Sequence, residues 1–157
     1  MYHIVVMSKS AHNSIDPPFW ESCPLETLTE AQWESLCDRC GRCCVHKLQD
    51  DETDEVFVTD IACELLDLET CCCGDYANRK QTVPDCFRLT PQLARSIDWL
   101  PPTCAYRRLA EGKGLPQWHP LVTGNLRSAL EAGMSALNRV ITMDQAAEIY
   151  GEELDES

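Results

Sequence analysis

The sequence predicts a single cysteine-rich domain that is mainly α-helical, with short helices, long irregular loops and a short β element, nucleated by bound metal. Three observations lead to this prediction. Helix start and stop signals follow one another closely along the chain, which favours short helices. The length of 157 residues suits one domain. The chain carries 11 cysteines, many at short fixed spacings, and core packing alone does not account for them.

Composition and charge exclude several classes of protein. There are 26 acidic and 13 basic residues, so the formal net charge is -13. Such a charge argues against binding to nucleic acid or to an anionic membrane, both of which need a positive field. No apolar run approaches the roughly 18–20 residues of a membrane-spanning helix, and the first residues lack the features of a secretory signal. We therefore expect a cytoplasmic protein with no nucleic acid or membrane partner, whose partner, where it has one, is an unknown protein.

The chain divides into three predicted parts. Residues 1–22 form a loosely ordered leader, in which Asp16-Pro17-Pro18 blocks regular structure and Phe19-Trp20 docks onto the domain. Residues 23–148 form the cysteine-cluster domain, and residues 149–157 form an acidic, solvated tail.

The first helix of the domain has a clear start. Thr29 and Gln32 have the spacing of a capping box, which predicts a helix that begins after Thr29 and ends at Cys37. Trp33 and Leu36 then share its inner face, because residues three apart lie on the same side of a helix.

An acidic loop separates this region from the next elements. Residues 50–55 are almost all acidic, and Val56-Phe57-Val58 after them predicts a short strand. Thr59 is a suitable N-cap, so we expect a helix over residues 59–67 with Ile61 and Leu65 on one face.

Two further helices are predicted in the second half. Thr90-Pro91 places an N-cap before a proline at the first helical position and opens a helix toward Trp99, which Pro101-Pro102 stops. A second helix runs from Cys104 to Glu111 and ends at Gly112.

The thiols allow three interpretations. A disulfide framework belongs to secreted proteins, and the odd number and adjacent positions of the cysteines argue against it. Burial as small hydrophobic side chains suits one or two, such as Cys23 and Cys72. Metal ligation in a reducing compartment agrees best with the spacing.

The strongest motif is Cys37-Asp38-Arg39-Cys40-Gly41-Arg42-Cys43-Cys44, a CxxCxxCC sequence. Two residues between cysteines let the backbone curl so that successive sulfurs converge, and Gly41 supplies the conformational freedom of a tight turn. Three sulfurs at this spacing suit a loop around an iron–sulfur cluster. The same sulfurs suit a zinc knuckle completed by a distant pair. Arg39 and Arg42 either offset thiolate charge or are ordinary exposed residues.

The motif belongs to a longer pattern that covers most of the chain. Its further parts are Phe19-Trp20, Trp33-Glu34-Ser35-Leu36, His46-Lys47-Leu48, Ala62-Cys63, Cys71-x-Cys73-x2-Tyr76-x2-Arg79, Pro84-Asp85-Cys86, Trp99-Leu100-Pro101-x-Thr103-Cys104-Ala105-Tyr106-Arg107 and Leu115-Pro116-x-Trp118-His119-Pro120-Leu121. This pattern resembles the CxxCxxCC family of zinc- or iron-chelating cysteine-cluster proteins and, more narrowly, the YcgN family of bacterial proteins.

The resemblance implies which cysteines bind metal. Nine positions match the family pattern: Cys37, Cys40, Cys43, Cys44, Cys63, Cys71, Cys73, Cys86 and Cys104. Cys23 and Cys72 fall outside it. A single zinc ion or a single cubane cluster takes four ligands, so nine thiols indicate more than one metal centre, or one centre with free thiols. We expect the main site to combine the motif with one or more of Cys71, Cys73, Cys86 and Cys104. Burial as packing explains Cys63 equally well.

The resemblance also bears on an ambiguous segment. Residues 125–143 fit a helix in their first part, whereas residues 135–142 fit a strand equally well. Related chains favour a strand around residues 134–142, and we adopt that prediction.

No catalytic constellation is visible. His46 could ligate metal or accept a hydrogen bond near the motif, but a locally bonded side chain is the better interpretation, and His119 is expected to be structural. Tyr76 and Arg79, like Tyr106 and Arg107, could hydrogen-bond sulfur or make ordinary contacts. The chain contains no phosphate-binding glycine loop, GxSxG or HExxH motif.

Three functions follow from these residues. The first is binding of zinc or iron by a largely structural site that presents a surface to a partner. The second is an iron–sulfur protein in electron transfer or in a redox enzyme. The third is metal delivery or sensing. All-thiolate sites suit zinc and iron–sulfur clusters alike, so the metal stays open between zinc and iron.

Overall fold

The computed structural model describes residues 16–151 of the protein. This part of the chain contains eight short α-helices, two turns of 3-10 helix and one two-stranded sheet. The α-helices are α1 Phe19–Ser22, α2 Glu30–Ser35, α3 Arg79–Thr82, α4 Pro91–Ser96, α5 Ala105–Ala110, α6 Pro120–Thr123, α7 Ser128–Glu131 and α8 Met143–Tyr150. The strands are β1 Val45–Gln49 and β2 Val56–Ala62, and the 3-10 turns are Leu25–Thr27 and Ala136–Asn138. The predicted fold class is confirmed.

Strands β1 and β2 form an antiparallel hairpin closed by the predicted acidic loop. Val45 pairs with Ala62 at the open end and Gln49 with Val56 at the closed end, and a bulge interrupts the register between Val45 and Lys47. In the loop, Asp50 accepts hydrogen bonds from the amides of Glu52 and Thr53 at 2.8 and 2.9 Å. These bonds lower the pKa of the Asp50 carboxyl. The loop thus keeps a stable turn despite its negative charges.

The prediction of a helix over residues 59–67 is wrong. The strand that begins at Val56 continues to Ala62, because its residues pair with β1, a strand that the sequence analysis missed. The Thr59 hydroxyl does not cap a helix but donates to the His46 carbonyl of β1 at 2.7 Å. Strand pairing across the hairpin therefore outweighs the local capping signal.

The helices that carried clear capping signals are confirmed. The Thr29 side chain accepts from the Gln32 amide, and the Gln32 side chain accepts from the Thr29 amide, which makes α2 start as predicted. Thr90 caps α4 in the same way through the Leu93 amide, with Pro91 at the first position. Helix α4 ends at Ser96, before Trp99, and α5 occupies the predicted stretch after Cys104.

The predicted strand over residues 134–142 is wrong. The Ser135 hydroxyl accepts from the Leu137 amide at 3.2 Å and starts the turn Ala136–Asn138. Only Ile141 makes a strand-like contact, an isolated parallel bridge to Ile61. The alternative, a helix through the first part of residues 125–143, forms only partly. Helix α7 covers four residues, and Gly133 follows it with a φ of +73°. Local side-chain capping breaks this segment into short turns.

Two separate groups of apolar side chains form the core. The helical core, built by residues from α2, α4, α5 and the segment before α2, contains Leu25, Trp33, Leu36, Ala94 and Tyr106. The hairpin core contains Ala62, Leu66 and Cys71. Residues 37–44, which carry the CxxCxxCC motif, connect α2 of the helical core to β1 beside the hairpin core.

The predicted division into leader, domain and tail stays a prediction. Most of the leader and the last six residues of the tail lie outside the described residues. Within the described part, Phe19 and Trp20 pack against the helical core, and α8 extends to Tyr150.

Replacing Leu36 should destabilise the protein strongly. Its side chain is fully buried in the helical core, so we expect Leu36→Ala to lower the free energy of unfolding by about 2–5 kcal/mol. Leu126→Ala is the control, because Leu126 is 61% exposed and should lose less than about 0.5 kcal/mol. Urea unfolding followed by circular dichroism measures both, and similar losses would contradict the assignment of Leu36 to the core.

Candidate metal centre

The thiol loop, residues 37–44, has an unusual backbone. Arg39 and Gly41 both lie in the left-handed region, with φ angles of 59° and 72°. The buried Asp38 carboxylate accepts a hydrogen bond from the Cys40 amide at 3.1 Å, and the Cys44 amide donates to the Gly41 carbonyl at 3.0 Å. These turns curl the chain over a short distance, as the spacing of the motif predicts.

Distant parts of the chain hold this loop in place. The buried His119 ring bridges two backbone groups: Nδ1 accepts from the Leu121 amide at 3.0 Å, so Nε2 carries the proton and donates to the Leu36 carbonyl at 2.8 Å. The Ala136 amide donates to the Cys40 carbonyl at 2.7 Å. His119 therefore has the structural role that the sequence analysis preferred.

Arg42 and Cys71 complete the support of the loop. Arg42 Nε donates to the Met134 carbonyl at 2.8 Å, so its guanidinium is directed to the C-terminal segment. Cys71 is buried with its Sγ 3.6 Å from the Ser135 hydroxyl. The same sulfur would lie only 2.6 Å from a Cβ built on Gly41, so the loop passes Cys71 at a point where only glycine fits.

The charge of the Cys43 thiol reaches several other thiols. It acts on five cysteines from three separate stretches of chain: Cys37, Cys40, Cys44, Cys71 and Cys104. The charge of Cys63 acts on Cys44, and both of these residues pack against the hairpin core. Cys86 is included because its charge acts on the Lys47 ammonium, as do the charges of Cys43, Cys44 and Cys63. We call these eight cysteines the Cys43 group.

Desolvation raises the pKa of several of these thiols. It raises the pKa of Cys37 to about 12, with a further contribution from the charge of Cys43, and raises the pKa of Cys104 to about 11. Burial also raises the pKa of Cys40. A hydrogen bond between Cys43 and Cys44 lowers the pKa of Cys43 and raises that of Cys44. A metal ion must displace protons from such thiols to bind.

Three cysteines are not counted in the Cys43 group, although the charge of one of them, Cys72, also acts on Cys71. Cys73, a predicted ligand, pairs with Leu66 through an isolated antiparallel bridge. Cys72 is only 3.5 Å from the Thr70 carbonyl, and exposed Cys23 has Ser22 as its neighbour. All eleven cysteines lie within the described residues, and each is a free thiol there.

Comparisons with known proteins agree with this arrangement. Residues 36–105 match the family model CxxCxxCC, described as "Putative zinc- or iron-chelating domain". A UPF0260 protein of Gluconacetobacter diazotrophicus is 56% identical over 83% of this chain and 81% of its own length. UPF0260 proteins of Brucella melitensis and Rhizorhabdus wittichii are 56% and 53% identical over 82% and 85% of this chain, and over 85% and 92% of their own lengths.

The chain belongs to the UPF0260 family. The expected membership of the CxxCxxCC family is thereby confirmed, and the chain contains a domain of the zinc- or iron-chelating type. No solved structure matches the chain. No helix in residues 16–151 has the length and apolar character needed to cross a bilayer.

The donor set of this UPF0260 chain fits a soft metal. Sulfur ligands suit zinc, iron and iron–sulfur clusters. Within residues 16–151, no three cysteine, histidine or carboxylate side chains form a group that could hold a metal ion as they stand. Metal binding by these thiols would therefore require them to approach one another to the metal–sulfur distance of about 2.3 Å.

Sequence analysis missed Lys47 as a neighbour of these thiols. Its Nζ donates to the Cys43 carbonyl at 2.7 Å and to the Val45 carbonyl at 3.0 Å, and it lies 4.4 Å from the centre of the Trp99 ring. Lys47 occurs three residues after the motif, on the strand that capping and periodicity did not predict. With β1 in place, alternation of side chains would have put Lys47 on the same face as Val45.

The other residues singled out by the pattern make structural contacts. The Tyr106 hydroxyl donates to the Trp33 carbonyl at 2.8 Å and Arg107 to the Asp98 carbonyl at 3.1 Å. The Tyr76 hydroxyl donates to Glu34 at 2.7 Å, and Arg79 stacks on the Tyr76 ring at 3.9 Å.

A side chain at Gly41 should disturb the loop more than one at Gly112. Both glycines have positive φ, but a Cβ at Gly112 meets no atom within 4 Å. We expect Gly112→Ala to lose about 1 kcal/mol of unfolding free energy from conformation alone. Gly41→Ala should lose at least about 1 kcal/mol more, because Cys71 must move.

Urea unfolding of both variants measures this difference. Equal losses for Gly41→Ala and Gly112→Ala would show that Cys71 does not constrain the loop.

Proposed function

We propose that this protein binds zinc or iron through thiolates of the thiol loop and of later cysteines. The observation that carries the proposal is the Cys43 group of eight thiols. Thiols from residues 37–44, 63, 71, 86 and 104 lie near enough for their charges to act on one another or on Lys47, although they are separated by up to about two-fifths of the chain. Packing alone would not need so many sulfurs in one place, whereas a soft metal centre does.

The principal site is best assigned to thiols whose charges interact with that of Cys43. We assign Cys37, Cys43 and Cys104 to it, with Cys40 or Cys44 as the fourth ligand. Cys63 and Cys86 lie on the Lys47 side of the group and are candidates for a second centre. A second centre is consistent with eight thiols in the group, because a single zinc ion takes four.

Metal would supply stability at this point of the fold. The thiol loop has no helix or strand of its own, and it lies between two small cores. A structural zinc site contributes about 10–16 kcal/mol of apparent binding free energy, which is enough to fix such a loop. The protein's own residues, Asp38, Gly41 and His119, set the backbone from which the thiols reach the metal.

One observation favours an iron–sulfur centre as a second candidate. Cys37 and Cys43 are solvent-exposed residues of the thiol loop. A cluster bound there would lie near the surface, where an electron can pass to a partner protein. Accessible ligands also suit metal exchange, as delivery or sensing requires.

Anaerobic purification followed by elemental analysis and a visible spectrum tests the proposal. Colourless protein with stoichiometric zinc supports a structural or exchangeable zinc site. Brown protein with iron and acid-labile sulfide supports the iron–sulfur candidate. Protein that contains neither metal, and takes up neither zinc nor iron under reducing conditions, overturns the proposal.

Loss of Cys43 should abolish metal binding at the principal site. We expect Cys43→Ser to retain less than half of the metal of the unmodified protein, because serine does not replace a thiolate ligand. Cys72→Ser is the matched control from outside the family pattern and should keep its metal. Elemental analysis per folded protein measures both, and metal loss in Cys72→Ser alone would contradict the ligand assignment.

Removal of metal by a chelator should lower the thermal stability of the protein. We expect excess EDTA, or an iron chelator for iron-loaded protein, to lower the melting temperature by at least about 10 °C, because removing a bound ligand removes its binding free energy from the folded state. Calorimetry with and without chelator measures this shift. An unchanged melting temperature, with metal shown to be removed, would contradict a structural role and favour delivery or sensing.

The proposal also covers the cellular compartment and the partner of the protein. Free thiols need a reducing compartment, so we place the protein in the cytoplasm. The net charge of -13 disfavours nucleic acid and anionic membranes as partners, and leaves another protein as the partner we propose.

A further inference from the structure

Lys47 is held firmly at the edge of the thiol loop. Three contacts fix its ammonium: hydrogen bonds to the Cys43 and Val45 carbonyls at 2.7 and 3.0 Å, and the face of the Trp99 ring at 4.4 Å. Phe87 packs against Trp99 with 5.2 Å between ring centres. The bulge between Val45 and Lys47 occurs at the start of this strand, where the chain leaves the loop.

The negative groups whose charges act on this ammonium are thiols. In the described part of the chain, no carboxylate lies within ion-pair distance of Lys47, whereas Arg88, Arg95, Arg107, Lys113 and Arg139 all have such a partner. Burial lowers the pKa of Lys47, and the charges of Cys43, Cys44, Cys63 and Cys86 act in the opposite direction. A partly buried cation without an acidic partner is costly unless other negative charge compensates it.

Thiolate ligands would provide that negative charge. A divalent metal with four thiolates carries a net charge of −2, and a cubane cluster with four thiolates is also an anion. We propose that Lys47 is a positioning residue whose positive charge stabilises the thiolate-bound metal centre beside Cys43 and Cys44. This inference rests on the proposed metal binding and deepens it, because it assigns charge compensation at the centre to one residue.

Two other cations near the loop make contacts away from the thiols. Arg42 binds the Met134 carbonyl and approaches the Met134 sulfur, and Arg79 lies over the Tyr76 ring and binds the Tyr76 carbonyl. The Lys47 ammonium is instead hydrogen-bonded to the loop itself, at the Cys43 carbonyl. The Trp99 ring, with its centre 4.4 Å away, supports the ammonium by a cation–π contact.

The experiment compares four variants of the full chain by their affinity for cobalt(II), measured by titration of the metal-free, reduced protein against a competing chelator. The cobalt–thiolate absorption band confirms sulfur ligation in each case. Lys47→Gln keeps a donor for the two carbonyls and removes the charge, whereas Lys47→Met removes both. Lys47→Arg keeps the charge. Lys113→Met is the control, because Lys113 pairs with Glu111 instead of facing the thiols.

We expect Lys47→Gln and Lys47→Met to bind cobalt at least about tenfold more weakly than the unmodified protein, because a nearby unit charge contributes on this scale. The cobalt affinities of Lys47→Arg and Lys113→Met should stay within about threefold of that of the unmodified protein. Unmodified affinity in Lys47→Gln, or failure of Lys47→Arg to restore binding, overturns charge compensation and leaves the proposed function standing. Absence of cobalt binding, with its thiolate band, in the unmodified protein overturns both.

Circular dichroism of the metal-free variants shows whether each variant is folded, so that weaker cobalt binding is not caused by unfolding. Should Lys47→Met fail to fold, the comparison of Lys47→Gln with Lys47→Arg decides the question by itself. These two differ in charge, and both can donate to the Cys43 carbonyl.

Discussion

The hydrogen bond from His119 Nε2 to the Leu36 carbonyl connects the two halves of this protein. Leu36 is the last residue before the thiol loop, and its carbonyl lies at a helix end, where no intrahelical donor is available. The imidazole supplies that donor from a fully buried position, and the Leu121 amide fixes its tautomer. The direction in which the chain enters the loop, and hence the placement of every thiol in it, depends on this contact.

Around that contact the protein has little core with which to hold itself together. The helices in the described residues are four to eight residues long, and the helical and hairpin cores are small and separate. Such short helices gain little stability from their own backbone hydrogen bonds and need tertiary contacts. The thiol loop is the connection between the two cores, so whatever fixes the loop also fixes their relative positions. A metal centre at this place would act on the whole domain.

The sequence predicted the features that depend on short-range chemistry. Capping by Thr29 and Thr90 is a local interaction between neighbouring residues, and both helices begin where the pattern indicated. The CxxCxxCC motif of the thiol loop was also identified from local cysteine spacing. Residues 59–67 were predicted wrongly because a distant partner decides their structure: β1 pairs with β2, and Thr59 donates to its His46 carbonyl. In residues 134–142 the Ser135 cap starts a local turn, and Ala136 then bonds to distant Cys40. Lys47 was missed as a neighbour of the thiols for the same reason, since only the hairpin places it there.

The thiols and their supports are unequally distributed along the chain. All nine family cysteines lie between residues 37 and 104, within the segment that matches the family model. The groups that hold the loop come later: His119 is 83 residues from Leu36, and Met134 is 92 residues from Arg42. A ribosome therefore synthesises the complete set of sulfurs before it has made the residues that arrange them. Because contacts so distant in sequence form late in folding, the nascent chain passes through a stage in which its thiols are present but not yet organised, and the native loop is complete only after the C-terminal third.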